Sequence, residues 1–275
     1  MGLIAIDLDG TLLRSDQTIS PRTIDILGQG RSHGWKVVPV TARPPRFLHT
    51  IPFMPEIFDL AICCNGALIY DVDAEVILEH ASLSPHDARG IALQLRDRLP
   101  GVCFAAEMGL RYGWDAAYAD LRGALLDPGG YSDDIERLIR EPVTKLIVRH
   151  PEIEFEQLLD VTLSLGLTGC EITYSTSDFI EISRQGVNKA TALERTVEQL
   201  GFSRADVVAF GDMPNDLPML RWAGHNIAVA NVHPEVLTAV DDVTASNDND
   251  GVAIVLERLI NVPDKFPRGS VPEIA

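Results

Sequence analysis

Short apolar runs alternate with longer amphipathic stretches in the first and last thirds of the chain. A short apolar run bounded by turn residues is typical of a strand buried in a parallel sheet. Such strands are predicted at residues 3–7, 36–40, 60–64, 206–210 and 226–229. Helices are predicted between and after them, at residues 21–33, 45–50, 187–200, 214–222, 234–240 and 251–260. The alternation predicts an α/β fold with a doubly wound, Rossmann-like parallel-sheet core.

Local turn signals support these boundaries. Ser20 followed by Pro21 is a favoured helix start, because serine caps the first turn and proline suits its first position. Asn65 and Gly66 form a strong turn signal after the third predicted strand. A hairpin is predicted directly after this turn, with strands at residues 67–70 and 75–79.

The pattern changes character in the middle of the chain, where an inserted α+β cap domain is predicted. Its predicted elements are a helix at 85–99, strands at 102–106 and 143–148, a helix at 152–165, and strands at 171–174 and 179–182. The Gly- and aromatic-rich segment 108–131 is expected to be irregular. We therefore predict a core domain formed by residues 1–81 and 183–262, a cap domain at 82–182 and a C-terminal tail at 263–275.

Composition restricts the kind of partner. The chain has 275 residues, a hydrophobic fraction of 46% and a formal net charge of -17. Strong negative charge disfavours nucleic acid and anionic membranes as partners. No apolar run approaches the ~20 residues that span a bilayer, and no signal peptide is recognised. Neither a metal motif nor a disulfide framework is formed by the cysteines, which are Cys63, Cys64, Cys103 and Cys170. A soluble, cytoplasmic protein is expected, and its oligomeric state is left open.

Two carboxylates follow the first predicted strand directly. Asp7 and Asp9 stand on either side of Leu8, and Gly10 permits a sharp turn that can bring them side by side. Ligands of open α/β sheets bind at this end of the strands. Neighbouring carboxylates repel each other and persist best with a cation nearby or a shared proton. For an isolated Asp-Xaa-Asp we would favour a simple turn, so the interpretation depends on residues further along the chain.

Further polar clusters end apolar runs or start helices downstream. With the first one, they are Asp7-Leu8-Asp9-Gly10-Thr11, Thr41-Ala42-Arg43, Lys189 within Gly-Val-Asn-Lys-Ala-Thr-Ala-Leu, and Gly211-Asp212-Met213-Pro214-Asn215-Asp216. Their order and context resemble the haloacid dehalogenase superfamily of aspartate-nucleophile phosphatases. The chain is most similar to the Cof-type sugar-phosphatase-like branch, which carries an inserted cap between the second and third motifs. The resemblance extends to about residue 261.

The resemblance implies a magnesium-dependent phosphatase. Asp7 is expected to be the nucleophile, because an aspartate can form an aspartyl-phosphate and divide one hard step into two. Asp9 is expected to protonate the leaving oxygen and then to activate water. Lys189 is expected to hold the Asp7 carboxylate and the phosphate. The expected Mg²⁺ ligands are the Asp7 carboxylate, the Asp9 backbone carbonyl and Asp212, since Mg²⁺ prefers hard oxygen ligands.

Phosphate contacts are expected from two loops and the fourth motif. The candidates are Thr41, Ala42, Asn65, Gly66, Lys189 and Asn215. Family members usually have glycine where this chain has Ala42, so the local geometry of the second motif is expected to differ. Arg43 is expected to pair with nearby acids rather than to touch the substrate. Asp216 is equally compatible with a metal ligand or its support, and with a carboxylate placed at a helix start.

The expected substrate is a small-molecule phosphate monoester, and the resemblance suggests small sugar phosphates. Two alternatives remain open. A phosphomutase would return the phosphoryl group to the substrate instead of to water. A non-catalytic sensor would keep the pocket and bind a phosphorylated metabolite without turnover.

Overall fold

The structure is a computed structural model that describes residues 2–52, 54–123 and 129–261. The predicted C-terminal tail at 263–275 lies outside the described residues. None of the described helices combines the length and apolar character needed to span a membrane.

A five-stranded parallel sheet, which we call the core sheet, forms the centre of the first unit. Its strand order is β14-β13-β12-β1-β2, and every neighbouring pair is parallel. The strands are β1 (Leu3–Ile6), β2 (Lys36–Pro39), β12 (Val207–Gly211), β13 (His225–Ala228) and β14 (Asp242–Val243). The four longer strands agree with the predicted ones to within one or two residues, and the short β14 was not predicted.

Helices cover both faces of the core sheet. Along β1, Leu3 and Ala5 pack in one apolar cluster while Ile4 and Ile6 pack in another, because side chains alternate across a strand. The helices of this unit are α1 (Pro21–Ser32), α2 (Pro45–Leu48), α3 (Met54–Ile57), α8 (Lys189–Gln199), α9 (Leu217–Trp222), α10 (Pro234–Leu237) and α11 (Gly251–Asn261). The predicted doubly wound α/β class is therefore confirmed.

A three-stranded antiparallel sheet extends this unit beyond β2. Strands β3 (Leu60–Cys63), β4 (Leu68–Asp71) and β5 (Val76–His80) form a three-stranded sheet. The Thr41 N–H donates to the Ile62 carbonyl, and a parallel bridge joins Val40 to Ile62. The loops after β2 and β3 consequently lie next to each other.

A second, six-stranded sheet is built from the middle of the chain, and we call it the cap sheet. Its order is β10-β11-β9-β6-β7-β8, antiparallel except for the last pair. Its strands are β6 (Cys103–Met108), β7 (Arg111–Trp114), β8 (Tyr131–Ser132), β9 (Lys145–Arg149), β10 (Cys170–Thr173) and β11 (Ile180–Arg184). Its helices are α4 (Pro85–Arg98), α5 (Ala116–Arg122), α6 (Ile135–Leu138) and α7 (Phe155–Ser164). An apolar cluster of its own packs α4 and α7 against the sheet.

The expectation of irregular chain at 108–131 was wrong for the described part of this segment. Strand β7 and helix α5 both lie within it. Tyr112 and Trp114 are buried together with Tyr118, and the Asp115 carboxylate caps α5 by accepting the Tyr118 N–H at 2.9 Å. Gly113 between the two aromatic residues obscured the alternating pattern of a short strand. These aromatic side chains pack within the cap sheet.

Candidate active site

The first motif leaves the core sheet at its carboxyl edge. Asp7 directly follows β1, and its N–H donates to the Phe210 carbonyl of β12 at 3.0 Å. This places Asp7 at the end of an inner strand, beside the motif that follows β12. Gly10 turns the chain with φ of +80°, in the left-handed region that favours glycine. A Cβ atom at Gly10 would lie 2.5 Å from Asp212 Oδ2, so the turn passes directly against that carboxylate.

Three carboxylates from the two motifs converge. Oxygen atoms of Asp7, Asp212 and Asp216 lie within 4.8 Å of one another, and all three residues are buried. The Thr11 hydroxyl donates to Asp212 Oδ1 at 2.5 Å and so orients that carboxylate. Three hard, anionic oxygen donors at one point form a set that could hold a divalent cation such as Mg²⁺.

Lys189 supplies the positive charge inside this cluster. Its Nζ donates to Asp7 Oδ1 and to Asp216 Oδ1, each at 2.5 Å, and its side chain is fully buried. Lys189 is the first residue of α8, where Asn188 and Thr191 form a capping box. A cation is unfavourable at a helix N-terminus. The two carboxylates offset this cost and account for a buried lysine at this position.

Asp216 supports the cluster with both of its oxygens. Oδ1 accepts from Lys189, and Oδ2 accepts from the N–H groups of Asp212 and Met213 at 3.0 and 2.9 Å. A Cβ atom at Gly211 would lie 2.6 Å from the Asp216 Cβ, so the glycine admits this close packing. The sequence left Asp216 undecided. In the structure it holds the Asp212 loop and Lys189, and it also belongs to the three-carboxylate group.

Electrostatics make the cluster unfavourable without further positive charge. Burial raises the pKa of Asp7 well above its ordinary value; Lys189 opposes this rise, while Asp216 and Asp212 add to it. Burial, together with the charge of Asp216, raises the pKa of Asp212 to about 7, although the Thr11 hydroxyl lowers it. A divalent cation would relieve both effects, because it stabilises the ionised carboxylates.

Asp9 lies at the exposed side of the site and is paired with Arg43. The guanidinium donates to both carboxylate oxygens, from Nε at 2.7 Å and from a terminal nitrogen at 2.5 Å. Bidentate pairing of this kind orients a carboxylate better than a single contact. The prediction that Arg43 pairs with a nearby acid is confirmed, and the acid is the candidate proton donor itself.

The second motif is held by its neighbours rather than by a helix start. Helix α2 begins at Pro45, so the N–H groups of Ala42 and Arg43 precede its first turn. The Arg43 N–H donates to the Thr41 hydroxyl at 3.0 Å, and the Asn65 N–H donates to the Thr41 carbonyl at 3.0 Å. The Thr41 carbonyl thus ties the second motif to the loop at Asn65.

The loop at Asn65 and Gly66 packs against the start of α8. Gly66 has φ of +98°, and a Cβ atom there would collide with the Asn188 carbonyl. Gly66 thus permits a close backbone approach next to Lys189. The Asn65 side chain is buried and accepts from Asn215 Nδ2 at 3.0 Å. Both predicted asparagines therefore lie at the site and contact each other.

A cavity of about 160 Å³ lies beside this pair, between the core and the cap sheet. Asn65, Lys189 and Asn215 line it from the core, and Thr173 and neighbouring residues of β10 line it from the cap sheet. Asn215 Oδ1 is buried and has no hydrogen-bond partner among the described residues. Three of the six candidate phosphate contacts thus line a cavity that the cap sheet closes on its other side.

Sequence reasoning missed three residues at the site. Thr11 was not assigned a role, although its hydroxyl holds Asp212. Lys145 and Glu181 of the cap sheet form a buried ion pair at 2.5 Å that reaches the core loops. The sequence does carry a signal for Lys145 and Glu181, because each is a single charged residue next to apolar ones. Leu-Ile-Val follows Lys145, and an isoleucine stands on either side of Glu181.

Comparison with known proteins places the chain among hydrolases. The family model described as haloacid dehalogenase-like hydrolase matches residues 4–256. The chain is 30% identical over 270 residues to the pyridoxal phosphate phosphatase YbhA of Escherichia coli, covering 91% of this chain and 96% of that protein.

Solved structures of phosphatases share the fold. The phosphatase BT1666 from Bacteroides thetaiotaomicron superposes with a TM-score of 0.80 at 25% identity, covering 94% of each chain. The subclass IIB sugar phosphatase BT4131 superposes with a TM-score of 0.79 at 21% identity, covering 94% of this chain and 98% of that one. The predicted family and the Cof-type branch are confirmed.

Proposed function

This chain belongs to the haloacid dehalogenase-like hydrolase family and is a phosphatase, and we propose that it is a Mg²⁺-dependent enzyme for small phosphorylated metabolites. We further propose that it acts through an aspartyl-phosphate on Asp7. The observation that carries this proposal is the convergence of the Asp7, Asp212 and Asp216 carboxylates, two of which, Asp7 and Asp216, accept from the ammonium of Lys189.

The charge of this cluster supports a divalent cation. Three carboxylates lie together with one ammonium, so full ionisation of all three would leave an excess of two negative charges in a buried site. We propose that Asp7 and Asp212 hold Mg²⁺ through their carboxylates and Asp9 through its backbone carbonyl. When bound, the ion supplies neutralisation of the phosphoryl oxygens. Asp216 then keeps Lys189 and the Asp212 loop in place.

The proposed chemistry uses the two carboxylates of the first motif. An Asp7 oxygen forms a bond to phosphorus while the ester bond breaks, and Asp9 gives its proton to the leaving oxygen. Water then attacks phosphorus as Asp9 takes back a proton, which releases phosphate and restores Asp7. Lys189 holds Asp7 throughout, and Thr41, Ala42, Asn65, Gly66 and Asn215 are proposed to surround the phosphate.

The proposed substrate is a small phosphate monoester. YbhA is named a pyridoxal phosphate phosphatase and BT4131 a sugar phosphatase, and both names denote removal of phosphate from a small molecule. We propose a sugar phosphate or a phosphorylated metabolite of similar size.

Phosphate release from a panel of phosphorylated metabolites, with Mg²⁺ or with EDTA, tests the proposal. We expect turnover that needs Mg²⁺ and that the Asp7→Asn variant abolishes while keeping its thermal transition. Asp97→Asn, an exposed carboxylate of α4, is the control and should keep full activity.

Other outcomes would contradict the proposal. Near-normal turnover by Asp7→Asn would remove the nucleophile assignment. Transfer of the phosphoryl group back to the substrate without phosphate release would identify a mutase, and binding without turnover would identify a sensor.

A further inference from the structure

A hydrogen-bonded chain of four buried side chains runs from the cap sheet into the active site. We propose that Lys145 and Glu181 are positioning residues that set the orientation of the Asn65 and Asn215 amides. The two amides would then be correctly oriented at the phosphate site only while the cap sheet is packed on the core. This inference rests on the proposed function for its kinetic consequence, but not for its geometry.

The contacts of the chain are continuous. Lys145 Nζ of β9 donates to Glu181 Oε1 of β11 at 2.5 Å. Glu181 Oε2 accepts from Asn65 Nδ2 at 2.9 Å, and Asn65 Oδ1 accepts from Asn215 Nδ2 at 3.0 Å. We call these four side chains the amide relay. Each of them is buried, with an exposed fraction of 7% or less.

The charge pair at one end determines the direction of every bond in the relay. An ionised carboxylate only accepts, so Asn65 must present its NH₂ group to Glu181. Its carbonyl oxygen therefore faces Asn215, which must present its own NH₂ group in turn. Asn215 Oδ1 is thereby directed away from the relay, and it is one of two buried side-chain oxygens, with Ser183 Oγ, that have no partner among the described residues.

Asn215, which carries this oxygen, lines the cavity together with Lys189. A buried acceptor without a partner is costly. The cost is recovered when a hydroxyl of the substrate or an ordered water donates to it. The relay thus presents an oxygen where a freely rotating amide would present either of its ends.

Lys145 also connects the cap sheet to the second motif. Its Nζ donates to the Ala42 carbonyl at 2.9 Å. Burial lowers the pKa of Lys145, but Glu181 and other nearby groups raise it above its ordinary value, which keeps the ammonium charged. One cap-sheet ion pair therefore holds both loops to which the phosphate contacts are assigned.

The Glu181→Gln variant tests the relay because it is nearly isosteric. The Lys145 ammonium will attract the glutamine carbonyl, so the glutamine NH₂ will face Asn65. The two asparagine amides must then rotate, and Asn215 will present N–H where it now presents oxygen. We expect kcat to fall about 10- to 100-fold with a smaller change in KM, because misplacement of a positioned group has effects of this size.

Glu107→Gln is the matched control. Glu107 is a buried carboxylate of β6 that pairs with Arg46 of α2 across the same boundary, but it does not contact either asparagine. We expect its kcat to stay within about threefold of the parent, which separates loss of a cap-to-core ion pair from loss of the relay.

A double-mutant cycle with Asn215→Ala separates positioning from general destabilisation. If Glu181 acts through Asn215, the Glu181→Gln loss will disappear in the Asn215→Ala background. An equal loss in both backgrounds would overturn the inference.

The side-chain amide NMR signals of Asn65 and Asn215 provide a second test that does not depend on enzymatic activity. They should shift in Glu181→Gln but not in Glu107→Gln, and unchanged signals in Glu181→Gln would overturn the relay. A parent enzyme that releases no phosphate from any monoester would contradict the proposed function alone, since the NMR arm would still decide the relay.

Discussion

The Lys189 ammonium lies 2.5 Å from Asp7 Oδ1, although 182 positions separate the two residues. The same nitrogen lies 2.5 Å from Asp216 Oδ1. The buried Lys189 ammonium thus links the end of β1 to the motif that follows β12. Its removal would leave two buried carboxylates without their ammonium.

We expect Lys189→Met to lose activity and to lower the free energy of unfolding by about 3–5 kcal/mol, because breaking a buried ion pair leaves an uncompensated charge. Urea unfolding in EDTA measures this change. The double variant Lys189→Met/Asp216→Asn should be more stable than Lys189→Met, since one carboxylate is neutralised. A double variant that is no more stable would contradict this electrostatic account.

Removal of the Thr11 hydroxyl should weaken metal binding. Thr11 Oγ1 donates to Asp212 Oδ1, so Thr11→Val leaves the proposed metal ligand free to rotate. We expect the Mg²⁺ concentration for half-maximal activity to rise about 10- to 100-fold. Thr11→Ser retains the hydroxyl and should behave like the parent. An unchanged Mg²⁺ requirement in Thr11→Val would show that this hydrogen bond does not affect metal binding.

Two glycines with nearly the same positive φ allow the effect of backbone strain to be separated from that of a steric clash. Gly10 and Gly201 have φ of +80° and +78°. A Cβ atom at Gly10 would meet Asp212 Oδ2 at 2.5 Å, whereas one at Gly201 would meet nothing within 4 Å. Gly201→Ala should cost about 1 kcal/mol of unfolding free energy and keep full activity.

Gly10→Ala carries the same strain but also pushes against Asp212. We therefore expect kcat to fall by about 100-fold. Thermal unfolding and phosphate release measured on both variants check this comparison. Equal activities would show that the contact with Asp212 has no role in the geometry of the site.

The cysteine thiols should differ in reactivity. Cys63, Cys64 and Cys103 are buried, whereas Cys170 is partly exposed. Burial raises the pKa of Cys64 and of Cys103 to about 12, so their reactive thiolates are scarce at pH 8. A colorimetric thiol reagent should label one cysteine rapidly in the native protein and all four after unfolding. Rapid labelling should vanish in Cys170→Ser.

Local patterns predicted most of the secondary structure because they depend on neighbours in the chain. Ser20 caps α1 with its side chain accepting the Thr23 N–H, as expected for a serine before proline. The apolar run before Asp7 became β1, an inner strand of the core sheet between β12 and β2. Strand β7 was missed because Gly113 and two large aromatic residues do not form a simple alternating pattern.

The site could be predicted only as a set of candidate residues. Asp7, Asp212 and Lys189 carry chemistry that is recognisable from their types and positions at strand ends and helix starts. Asp216 remained ambiguous because a helix-start carboxylate and a partner for lysine have the same local sequence. Glu181 was missed because its partners, Lys145 and Asn65, are distant in the chain.

The sequence by itself determined the α/β class, the order of strands and helices, and the residue types that gather at the carboxyl edge of the core sheet. These features follow from periodicity and turn chemistry, which act over a few residues. Only the tertiary structure decided which carboxylates share Lys189, which acid Arg43 holds, and how the cap sheet reaches Asn215. Such pairings depend on contacts between segments that are distant in the chain. Many side chains of the same type could serve as partners, and the packing of the two sheets determines which of them meet.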